Sequence, residues 1–242
     1  MKRISLKTMM VLVLGGMVFA SQIPARAQFG GLGIGKKKSD DAGGAPVDKK
    51  AFGKASDEVL GKVLTARIAF LESQVWMMDA LGLKTDAVAK ASEALQAVKG
   101  SSEAEKKVDA LKDSSKASTE ANEKFEAAMA ESKELSAESK AKFAKGGAKF
   151  IEGILLEKEQ IETIQKLVEQ GQSLVKSAGP LEKPGVMSLV KPVTTMSSMV
   201  PGDVKEGSSA LSKILKFAKS QKVAIPGADK ATKSLGELDD KK

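Results

Sequence analysis

Between residues 54 and 82, Leu60, Leu64, Ile68, Leu71, Val75 and Met78 recur at intervals of three and four. That spacing lines one face of an α-helix and does not fit a strand, whose faces alternate every second residue. Val59, Val63, Phe70 and Leu81 widen the face, so the helix is expected to be covered on more than one side. The stretch 148–178 repeats the pattern with Ile151, Ile154, Leu155, Ile161, Ile164, Leu167, Val168, Leu174 and Val175. Gly179-Pro180 closes it. Two such helices, joined through intervening hairpins, predict an all-α fold. The expected architecture is an antiparallel bundle of long amphipathic helices with these two at its centre.

The segments between them carry helix punctuation. Gly82 is a stop, Thr85 is placed to cap a helix over 86–99, and Gly100 ends it. Val88, Ala91, Leu95 and Val98 mark the apolar face of that helix. Ser102 and Glu105 have capping-box spacing and are expected to open a long helix over 102–144. Of residues 101–150, 37 are Ala, Ser, Lys or Glu, so strong helix formers dominate there. The apolar face is thin (Val108, Leu111, Phe125, Met129, Leu135 and Phe143), which predicts packing along one edge. Gly146-Gly147 is expected to break or bend the chain. After residue 178, Pro184-Gly185, Pro201-Gly202 and Pro226-Gly227 are each expected to begin a short helix. Asp203 and Glu206 would form a second capping box. The C-terminal part is thus read as shorter helices started by Pro-Gly turns, and the likeness of 200–203 to 225–228 as reuse of a turn.

Missing residue types bound the chemistry. The chain has no Cys, no His and no Tyr. There is therefore no Ser-His-Asp triad, no cysteine nucleophile and no His-liganded zinc, and no disulfide supports the fold. Glu159 and Glu162 have the spacing of a helical carboxylate pair but lack the His of a di-iron motif, and are read as solvated charges. Gly30 to Lys36 has the spacing of a phosphate-binding loop, but Lys37 stands where Ser or Thr should bind magnesium and no strand precedes it. No enzyme activity, metal or cofactor is expected. With aromatics at 4% and a single Trp, Trp76, the core is expected to be aliphatic, and Trp76-Met77-Met78 is read as part of it.

The N-terminus reads as a secretory signal. Lys2, Arg3 and Lys7 precede an apolar stretch from Met9 to Ala20, and Ala25-Arg26-Ala27 presents small residues for cleavage before Gln28. The apolar stretch is shorter than the roughly 20 residues of a spanning helix. The expected organisation is a cleavable signal over 1–27, a flexible Gly/Lys-rich linker over 28–50, a helical-bundle domain over 51–238 and a frayed tail over 239–242. The net charge of +8 falls to +4 once the four basic residues of 1–27 are removed, which argues against a nucleic-acid partner. The protein is expected to be exported, to the periplasm or, as the alternative, to the extracellular space.

Two segments are candidates for contact. Residues 186–200 hold one charge, Lys191, and three methionines, a composition that repacks readily. Met187, Leu189, Met196, Met199 and Val200 are the candidate partner or membrane contacts, against the plainer reading of a connection buried across the bundle. Lys36, Lys37 and Lys38 are candidates for contact with an anionic surface. The function that follows is an exported, non-enzymatic helical protein that binds protein or cell-envelope partners. The alternative is a membrane-active (lipid-binding or pore-forming) helical protein that uses 186–200.

Overall fold

A computed structural model describes residues 47–236, and among these the chain is all-helical. It forms six helices: α1 (Lys49–Ala80), α2 (Asp86–Lys99), α3 (Ala104–Glu131), α4 (Ala137–Ser177), α5 (Lys183–Ser220) and α6 (Ala228–Gly236). The cleavage residues Ala25, Ala27 and Gln28, the Gly30–Gly35 stretch, Lys36, Lys37, Lys38 and the tail 239–242 lie outside the described residues. The expected linker 28–50 overlaps α1, which starts at Lys49 because the Asp48 carboxylate accepts a hydrogen bond from Lys50 N at 2.9 Å.

The two apolar helices form the core pair. α1 and α4 make the most extensive helix contact, and α4 packs next against α5. Leu60, Leu64, Leu71, Phe143 and Ile154 are completely buried along these helices. Contacts along α1 and α4 run in opposite numerical order. Lys142 Nζ lies 2.9 Å from Asp79, Lys149 Nζ 3.5 Å from Glu72, and Arg67 Nη2 3.7 Å from Glu157.

Gly146-Gly147 does not break the helix, the first of the two outcomes the sequence suggested. α4 runs continuously through both. A Cβ on Gly146 would lie 2.5 Å from Met77 Cγ and 2.9 Å from the Ser73 carbonyl oxygen, so this glycine serves close helix approach. One turn pair later, a Cβ on Gly153 would stand 3.0 Å from the Ala66 carbonyl oxygen. The break falls instead at 132–136. Ser136 caps α4 by accepting from Ser139 N at 3.1 Å, and the Gln221 side chain holds Leu135 N at 2.8 Å. The predicted helix 102–144 is therefore two helices. Its expected capping box is not made, since Glu103 stands at the cap and Ser101 Oγ accepts from Glu103 N.

The expected short C-terminal helices are also corrected. Pro184-Gly185 does open α5 and Pro226-Gly227 does precede α6, but Pro201-Gly202 lies inside α5, as does Pro192. One apolar stripe explains this. Val186, Val193, Val200, Gly207 and Ile214 recur every seventh residue, all buried, with Met196, Val204, Leu211 and Ala218 beside them. Burial of a stripe this long outweighs a proline cost of about 3 kcal/mol per interior site. Near Pro192, the hydroxyls of Thr194, Thr195, Ser197 and Ser198 donate back to carbonyls three or four residues earlier. Asp203 and Glu206 are accordingly interior residues of α5 and cap nothing.

Candidate functional site

Three charged side chains meet in the interior. Arg67 sits on the apolar face of α1, between Leu64 and Leu71, and is 4% exposed. Its Nη2 donates to the Asp203 carboxylate on α5 and lies 3.7 Å from Glu157 on α4. Glu157 is fully buried, and neither of its oxygens has a hydrogen-bond partner. Two carboxylates thus share one guanidinium, Glu157 out of reach of solvent and Asp203 partly exposed. Burial pushes Glu157 up to about 8, against the opposing pull of Arg67 and with further help from Asp203. Burial also raises Asp203, with Arg67 again opposing. The geometry thus favours the protonated, neutral form of Glu157 beside an Arg67–Asp203 ion pair.

A polar seam continues from it. Gln74 Nε2 donates to the Ser118 carbonyl and hydroxyl, each at 3.0 Å, and to Asn122 Oδ1 at 2.7 Å. These bonds tie α3 to α1 where Ser114 and Ser118 interrupt the apolar face of α3 between Leu111 and Ala121. Arg67, Gln74, Ser115, Ser118, Asn122 and Asp203 help line a cavity of about 50 Å3, space for a few waters. Ser118 Oγ accepts from Gln74, and Glu206 joins Asp203 in the lining of the same cavity. A larger open depression, about 340 Å3, lies between α2 and α3. Ala91, Ala94 and Val98 line its α2 side, and Lys106, Asp109 and Asp113 stand on its α3 side. Among the described residues, no cluster of three or more acidic side chains could hold a metal ion.

The surface has a different feature. Leu181 is 98% exposed and Met187 50% exposed, the two large apolar side chains so placed among the described residues. Both stand where α4 turns into α5. Lys49 Nζ contacts Glu182 at 3.0 Å, which brings the start of α1 to the same place. That contact holds the Glu182 carboxyl below its usual range. A Cβ on Gly53 would lie 3.2 Å from Leu189, and one on Gly171 3.0 Å from Val190 and 3.4 Å from Phe52, so the three helix ends are closely packed.

The residues singled out from the sequence separate on the structure. Met187 is exposed, Leu189 and Met199 are half-buried, and Met196 and Val200 are buried. They belong to a helix that packs on the core along most of its length. Glu159 and Glu162 are exposed on α4. Met77 and Met78 are core, while Trp76 is half-buried under Lys145, whose Nζ lies 3.6 Å from the ring centroid. Sequence reasoning missed Arg67, Glu157 and Leu181. The available signal for the first two was a charge at an apolar register position, Arg67 three after Leu64 and Glu157 three after Ile154. No family model, curated protein or solved structure matches the chain.

Proposed function

We propose that this protein is an exported, non-enzymatic antiparallel helical bundle that acts by binding a protein or envelope-surface partner. The single observation that carries the reading is the exposed apolar tip, Leu181 with Met187, on an otherwise well-covered domain. Isolated exposure of a leucine is ordinary, but 98% exposure at a tightly packed helix corner leaves its whole side chain free to be buried by something else. The buried charges support the same reading. Glu157 is sealed from solvent and Arg67 is committed to Asp203, so neither is free to meet a substrate. The opposite numerical order of contacts along α1 and α4 supports the antiparallel arrangement. Export rests on the basic, apolar and small-residue order of residues 1–27. A pore-forming role for 186–200 would require Met196 and Val200, which are 2% and 1% exposed, to leave the core.

Fractionation of cells that express the full chain tests the proposal. The expected result is protein outside the cytoplasm that begins at Gln28 and sediments with the envelope, while Leu181→Asp moves it to the soluble fraction. An intact Met1 on such protein, or identical partition of Leu181→Asp and wild type, would overturn it.

A further inference from the structure

We infer that the partner of the Leu181 tip is an anionic lipid bilayer, on which the domain docks peripherally. This rests on the binding role proposed above and names its partner class. The first observation is the form of the tip. Glu182 N and Lys183 N both donate to the Gly179 carbonyl at 3.0 Å, so Leu181 is held out on a hydrogen-bonded turn. Pro180 and Pro184 flank it and are exposed as well. The second is charge. Exposed Lys50, Lys176 and Lys183 belong to the three helix ends that meet here, besides Lys49, which is paired with Glu182; the acids of the same ends are Asp48 and Glu182.

This combination suits lipid better than protein. A standard protein interface buries about 800 Å2 on each partner, with lysine depleted at its centre. Two large apolar side chains on helix ends that carry several exposed lysines fall short of that and offer the wrong residue for it. A bilayer asks for less: an apolar wedge that reaches the acyl boundary, and cations level with the headgroups. Each lysine near an anionic surface raises partition about fivefold, and the leucine adds tenfold or more. The result is reversible attachment without a spanning segment, and no helix among the described residues is long and apolar enough to cross a membrane.

The test uses the chain beginning at Gln28, since the apolar residues 9–20 would bind lipid by themselves. It is mixed with vesicles of phosphatidylcholine alone or with phosphatidylglycerol. Because the chain has no cysteine, Leu181→Cys and Ser198→Cys each carry one environment-sensitive NBD dye. Ser198 is exposed on α5, about 25 Å along the helix from the tip. The expected results are sedimentation with the phosphatidylglycerol vesicles only, loss of binding in 1 M salt, and a blue shift from the dye at 181 but not at 198. Leu181→Asp, with an unchanged circular dichroism spectrum, should lower the partition coefficient by tenfold or more. Failure to sediment with either vesicle, or an unshifted dye at 181, overturns the inference. If envelope retention in cells still depends on Leu181 in that event, the partner is a protein and the binding role stands without the lipid.

Discussion

Glu157 should make the fold weaken as pH rises through the neutral range. Its folded pKa is about 8 against an ordinary 4.5. Below 4.5 it is protonated in both states and has no effect. Between 4.5 and 8 the unfolded chain releases the proton while the folded chain keeps it, so unfolding gains and stability falls with pH. One proton changes stability by about 1.4 kcal/mol per pH unit. Over the whole window the loss approaches 5 kcal/mol as an upper bound. Glu157→Gln keeps the shape and removes the titration. Urea unfolding of both proteins at intervals from pH 5 to pH 8 measures the difference. Wild type should decline steeply relative to Glu157→Gln. A stability difference that stays flat across this range would refute the buried-proton argument.

Three substitutions test the packing. Pro201→Ala should stabilise the protein by up to about 3 kcal/mol in thermal or urea unfolding, because Pro201 is exposed inside a continuous helix; a Pro-Gly turn there would give no gain. Gly146→Ala should destabilise by about 1–3 kcal/mol, since its methyl would meet the Ser73 carbonyl and Met77. Lys222→Gly should stabilise by about 1 kcal/mol. Lys222 has φ 57° just past the end of α5, where Val223 N bonds to the Ala218 carbonyl at 2.8 Å, and a side chain is strained there.

The core helices were legible because their apolar residues keep a strict three-and-four spacing, as Leu60 to Met78 do. α2 was legible to its ends because Thr85 and Gly100 flank its periodic residues, although the Thr85 side chain makes no capping hydrogen bond. Local punctuation misled where tertiary packing overruled it. Gly146-Gly147 reads as a break in isolation, yet Gly146 is where α1 approaches α4 and Gly147 is where Ile225 covers it. Pro201-Gly202 reads as a turn, yet the seven-residue stripe from Val186 to Ile214 passes through it. The same misreading made Asp203 a cap rather than the partner of Arg67. The contact candidates in 186–200 were chosen by composition, and composition does not say which side of a helix is covered. Leu181 was passed over because a lone leucine in a Pro-rich turn has no periodicity to mark it.

The most direct test of a binding role for this end of the domain is photo-crosslinking from a single position. A benzophenone attached at Leu181→Cys or at Ser198→Cys is activated in envelope extract, and adducts are read by mass spectrometry. The expected result is adducts from 181 and none from 198. Equal labelling from the two positions, or none from 181, would contradict a partner at the Leu181 tip.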